Sequence, residues 1–180
     1  EGDFWVGSAG NGIARIRESL FHALGPAAGL PGKVARSVCV DAQGQLWAGT
    51  MAGGLARWQN GRFAPLSLPL PDATPAESVT VFPAADGGLW VGTLNQGLMR
   101  WRDGKFTRQP VSWNTIRVLF GDREGRLWVG GLVNLLCLDH GQIKNYGSAD
   151  GFVDGHAIGA MAEDADGAFW IVTGPGDLWK

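Results

Sequence analysis

The sequence is poor in charge, poor in cysteine and without a long apolar run. Charged residues fill 18% of its 180 positions, and the two signs nearly cancel to a formal net charge of −2. No lysine- or arginine-rich run stands out, so neutralisation of a nucleic-acid backbone is not expected. No apolar stretch reaches the roughly 18 residues that a membrane-crossing helix requires. Nor does a charged-then-apolar leader open the chain, which starts on EGDFWVGS, already inside a recurring pattern, as an excised or mature piece would. The two cysteines, Cys39 and Cys137, sit in the apolar runs SVCVD and LLCLD. With no CxxC spacing they read as small buried hydrophobes rather than a disulfide or redox centre.

What the chain does have is glycine and tryptophan, 29 of the first and nine of the second. Five of the tryptophans, Trp5, Trp47, Trp90, Trp128 and Trp170, recur at spacings of 42, 43, 38 and 42 residues. Each lies in one frame: FWVGS, LWAGT, LWVGT, LWVGG, FWIVT. Three residues earlier stands a glycine, and six earlier stands Asp41, Asp122 or Asp164, with Ala84 as the departure. After each tryptophan come a second segment (GIARI, GLARW, GLMRW, NLLCL), a tight turn, and a third segment such as RFAPL. An apolar segment such as ARSVCV then precedes the next aspartate.

Segments of four to seven residues, rich in β-branched and aromatic side chains and bounded by Gly, Asn and Asp, are strands rather than helices. Named A to D in the order ARSVCV, LWAGT, GLARW, RFAPL, they make successive hairpins. Aspartate before the A–B turn accepts bonds from backbone amides two residues on, and the glycine supplies positive φ. The NG and DG pairs between C and D are strong hairpin signals. A lone four-stranded sheet with two apolar faces must stack on copies of itself, and copies set radially form a β-propeller. The recurring Trp then fills the space between blades, each burying roughly 200 Å² and contributing on the order of 5 kcal/mol of gross hydrophobic gain. The expected architecture is all-β, with three strands, three full sets of four, and three more. These 18 strands, about four and a half blades, fit neither a four- nor a five-bladed ring. An arc of a larger propeller is therefore expected, with apolar faces and strand edges open at both ends. The remaining blades of a parent chain, or another copy, would supply the missing partners.

The frame D-x-x-G-x-L-W-x-G-T followed by G-G-L-x-R resembles the two-component regulator propeller repeat, best over Asp41–Trp58 and Asp122–Gly131. The resemblance implies the periplasmic sensor region of a membrane-bound bacterial signalling protein. It further implies a dimeric parent with a histidine kinase or diguanylate cyclase as output.

Chemistry is sparse. DADG at Asp164–Gly167 has the glycine at the wrong place for a calcium loop and repeats the A–B turn. The glycine clusters near Gly7–Gly12 and Gly49–Gly54 open strands, not the helix that a phosphate loop requires. Cys137 and His140 are half a zinc motif, and His22 and His156 stand apart from them. No cofactor or metal is expected, and no nucleophile–base–acid set assembles from the sequence. Binding is the better expectation, because the D–A connections are long and varied on a constant scaffold. Counting back from each A–B turn places Lys33, Asn114 and His156 at one equivalent position, and Arg36 and Arg117 at another. With Trp113 as an aromatic platform, these residues suit a glycan or a small anionic ligand. A scaffold that only docks proteins is the alternative, and a propeller lyase or hydrolase a further one.

Overall fold

The computed structural model describes residues 4–8, 12–16, 24–32, 34–51, 54–69, 79–113, 115–151, 156–174 and 176–180. It is all-β, with strands β1 (Phe4–Ser8), β2 (Gly12–Ile16), β3 (Ala35–Val40), β4 (Leu46–Thr50), β5 (Gly54–Gln59) and β6 (Arg62–Leu66). There follow β7 (Val79–Pro83), β8 (Leu89–Thr93), β9 (Leu98–Arg102), β10 (Lys105–Arg108), β11 (Val118–Gly121) and β12 (Leu127–Gly130). The last are β13 (Leu135–Asp139), β14 (Gln142–Tyr146), β15 (Ile158–Glu163), β16 (Phe169–Thr173) and β17 (Leu178–Trp179). Among the described residues, helix is confined to two single 3₁₀ turns, Pro26–Ala28 and Ser148–Asp150.

Among the described residues, all pairings are antiparallel between chain neighbours. They give the hairpin β1–β2, three four-stranded blades (β3–β6, β7–β10, β11–β14) and a three-stranded blade (β15–β17). These 17 strands coincide with the expected ones except the third strand of the first unit, which falls after Ile16 outside the described residues. The first strands of successive blades, β3, β7, β11 and β15, lie side by side, so the blades fan out from a shared inner edge as in a propeller.

Local chemistry makes the hairpins. At the C–D turns, Asn60-Gly61, Asp103-Gly104 and His140-Gly141 all take positive φ at both positions, the backbone that matches the twist of the flanking strands. Packing between blades makes the core. Trp47 is fully buried among Val79, Val81, Leu89 and Val91 of the next blade, edge-on to Trp101 at 4.8 Å. Trp128 does the same two blades later, stacked on Phe169 at 4.4 Å and packed with Ile158 and Ile171. Glycine permits the close approach: a Cβ on Gly121 would lie 2.7 Å from the ring of Phe82 in the preceding blade.

Apolar side chains are exposed at both ends of the described four-blade row. Val38 on β3 is 65% exposed, whereas its equivalents Val81 and Leu119 are 6% and 7% exposed. Val34 and Val40 beside it, and Val172 and Leu178 in the last blade, are exposed as well. No helix among the described residues is long and apolar enough to cross a membrane.

Candidate functional site

Two faces of the fan carry polar chemistry. On the first, the D–A connections leading into the third and fourth blades meet the B–C connections of the blades before them. Thr115 Oγ1 donates to the Leu94 carbonyl at 3.0 Å, and the Ile116 amide to the Thr93 carbonyl at 2.7 Å. The Ile158 amide repeats this to the Gly131 carbonyl at 3.0 Å. These bonds place the loops of Asn95, Trp113, Arg117 and His156 in sequence along one rim.

Four side-chain atoms on that rim are buried and have no hydrogen-bond partner among the described residues: Asn95 Oδ1, Trp113 Nε1, Arg117 Nε and His156 Nδ1. Buried polar atoms without partners are uncommon, because each forfeits its bonds to water. Here Asn95 offers an acceptor and Trp113 and Arg117 offer donors, from consecutive connections. His156 Nδ1 lies 3.3 Å from Asp177 Oδ2, an ion-pair distance without hydrogen-bond alignment.

Of the residues expected at the rim, Trp113, Arg117 and His156 are half-buried and occupy it. The ring of Trp113 also packs against the core between the second and third blades and touches the backbone at Gly131. Arg36 is exposed on β3 and lines a separate cavity of about 270 Å³ with Leu30 and Phe63. No described cavity is lined by more than one of the expected residues. Lys33 and Asn114 lie outside the described residues. Asn95 was not legible as a candidate, since it sits in a B–C turn whose other copies differ.

The opposite face carries the A–B turns. In each, the backbone closes on itself: the Asp41 amide donates to the Gln45 carbonyl and the Gly44 amide to the Asp41 carbonyl, both at 3.0 Å. Gly44, Gly87, Gly125 and Gly167 all adopt positive φ there. The aspartate adds three bonds. Asp41 Oδ1 accepts the amides of Gln43 and Gln45 at 3.0 and 2.9 Å, and Oδ2 accepts the indole N–H of Trp47 at 2.7 Å. Asp122 and Trp128 repeat the set, as do Asp164 and Trp170, again with 2.7 Å to the indole. The expected turn role of the aspartates therefore extends to orienting the interblade tryptophan. The constant six-residue offset in the sequence is the trace of that bond.

Burial pushes the Asp122 carboxyl up, but the bonds from Trp128 and Arg126 outweigh it and hold the group below the ordinary carboxylate range. Asp164 is likewise held low, first by the Trp170 indole and then by the Ala168 amide. Arg123 ties the third A–B turn to the fourth, its guanidinium donating to the Ala165 carbonyl at 2.9 Å and to that of Asp164. No group of metal-ligating side chains occurs among the described residues. The side chain of Trp5 lies outside the described residues, so its filler role rests on its sequence frame.

Comparison with known proteins fits this architecture. A family model described as two component regulator propeller matches residues 29–52 and 110–132. No curated protein matches. Among solved structures, the extracellular domain of a hybrid two component system of B. thetaiotaomicron superposes with a TM-score of 0.73 at 18% identity. The match covers 98% of this chain and 26% of that one. PorZ, a surface component of the type-IX secretion system of Porphyromonas gingivalis, gives 0.63 at 14% identity, over 98% of this chain and 30% of that one. Virginiamycin B lyase from Staphylococcus aureus gives 0.61 at 17% identity, over 81% and 54%. At these identities the likeness is one of fold, and the chain spans only a quarter to a half of each neighbour's length.

Proposed function

We propose, on the match of residues 29–52 and 110–132 to the two component regulator propeller model, that the chain is a non-catalytic sensing segment of a bacterial signal-transduction receptor, on the periplasmic side of the membrane. Its ligand, a glycan or a small anion, binds at the rim of D–A and B–C connections. The observation that carries this reading is the line of buried, unpartnered polar atoms on Asn95, Trp113, Arg117 and His156. A ligand that pairs them removes their desolvation cost and so binds one arrangement of the rim in preference to others. In a dimeric parent that preference shifts the population toward one arrangement of the subunits, which a kinase or cyclase output reads.

The test is a thermal-shift screen of the chain against glycans and small anions, repeated on Arg117→Ala and Asn95→Ala. A hit whose stabilisation disappears in both variants supports rim binding. Hits unaffected by either variant move the site elsewhere. The second reading, a docking scaffold without small ligand, is favoured by the exposed Val34, Val38 and Val40 at one end and Leu178 at the other. It predicts no hit in the screen and self-association by solution mass.

A further inference from the structure

The A–B turn of the second blade has the backbone of its sisters without their carboxylate. The Ala84 amide donates to the Gly88 carbonyl at 2.9 Å and the Gly87 amide to the Ala84 carbonyl at 3.0 Å, as in the other three turns. In those turns, the amides two and four residues on and the indole six on all bond to the aspartate. Around Ala84 the corresponding donors are the amides of Asp86 and Gly88 and the indole of Trp90, with no carboxylate to receive them. Ala84 itself is 7% exposed, and its short side chain fills none of the volume that an aspartate's carboxylate would take.

That space exists. A cavity of about 400 Å³ is lined by both Ala84 and Trp90. Its remaining wall is largely apolar, from Phe82, Pro83, Val40 and Leu127, with Arg126 of the next blade at its margin. The two aspartates on its wall, Asp41 and Asp122, have their oxygens engaged by their own turns, so they present no free carboxylate to a cation. The chemistry left open is that of a carboxylate acceptor joined to an apolar body.

We propose that this cavity binds a monocarboxylate with a short apolar tail, whose carboxylate takes the place of the missing aspartate. One oxygen receives the amides of Asp86 and Gly88, and the other receives the Trp90 indole. The tail lies against Phe82, Pro83 and Leu127. The site is on the face opposite the rim described above and does not depend on it.

The experiment is thermal unfolding of the chain in sodium butyrate, sodium acetate and sodium chloride at equal ionic strength, alongside Ala84→Asp. Butyrate should raise Tm saturably, by about 4 °C at a roughly tenfold excess over its dissociation constant, with acetate weaker and chloride inert. Ala84→Asp should be more stable than the parent and indifferent to butyrate, while Arg117→Ala keeps the response. The Trp90 indole N–H resonance, identified by its loss in Trp90→Phe, should move downfield with butyrate; this readout decides the matter even if Ala84→Asp folds poorly. Equal shifts in butyrate and chloride, an undiminished response in folded Ala84→Asp, or an unmoved Trp90 resonance would each overturn the proposal.

Discussion

The A–B turns at Asp122 and Ala84 share a backbone and differ in how each holds its tryptophan. At Asp122 one carboxylate, with a side chain 3% exposed, binds two amides, the Trp128 indole and the Arg126 guanidinium. At Ala84 the carboxylate is gone, and Arg100 from the facing strand lies over the Trp90 ring at 4.7 Å. Arg100 is held in turn by ion pairing to Asp86, which also receives Arg102 at 3.1 Å. Gly88 makes room for it, since a Cβ there would collide with the guanidinium. The equivalent position in the third blade is Arg126, which serves the aspartate instead. One turn fixes its tryptophan by a hydrogen bond from the edge, and the other by a cation on the face. The fold therefore asks for a tryptophan held between blades and tolerates more than one way of holding it.

Substitutions can break or sharpen this contrast. The largest effect is expected at the tryptophans themselves. Trp47→Ala empties a fully buried site and should cost about 4 kcal/mol. Trp90→Ala, at a half-buried ring, should cost about half as much in the same chemical denaturation experiment. Equal losses would mean that the turn chemistry does not set how firmly each ring is held.

Next comes Asp122→Ala, which strands two amides, an indole N–H and the Arg126 guanidinium, for a loss of about 3 kcal/mol by urea unfolding. The effect should depend on pH with a definite sign. Asp122 and Asp164 titrate below the unfolded value of about 3.9, so the folded chain binds fewer protons than the unfolded one near that pH. Their contribution is therefore complete above that pH and fades as pH falls through their folded values. The stability gap between the parent and Asp122→Ala should accordingly narrow only in acid below about pH 4. A gap that is constant down to pH 2 contradicts the assignment.

Smaller effects follow at the cations. Arg100→Ala should cost about 1 kcal/mol, and Arg57→Ala less, because Arg57 stands 5.8 Å from a Trp47 ring already fixed by Asp41. The smallest readout concerns Cys39, beside the first turn. Burial, and then the Asp41 charge, pushes its thiol up to about 12. Alkylation at pH 8 should therefore run far slower than for a free thiol, and quicken slightly in Asp41→Asn.

The order of strands, their pairing and the place of each turn were legible from the recurring tryptophan frame, because local rules produce them. A positive-φ pair at Asn60-Gly61, or an aspartate that can reach its own amides, acts over a few residues and leaves a fixed spacing in the chain. The spacing of six also carried the Asp–Trp bond, though the frame alone does not distinguish a filler from a bonded filler. At the rim, alignment by offset grouped Trp113, Arg117 and His156 with Arg36, whereas in the structure Arg36 lines a separate cavity. Offsets report position along a strand and say nothing of which blade neighbours which loop.

The sequence by itself determined that this protein is a row of four-stranded blades, since hairpin chemistry and apolar alternation are short-range and repeat five times. Only the tertiary structure decided which polar atoms are stranded at the rim, that Arg100 lies over a tryptophan whose aspartate is missing, and that a cavity lies beside Ala84. Those depend on side chains from different blades meeting across the gap between sheets, and no local rule encodes that distance.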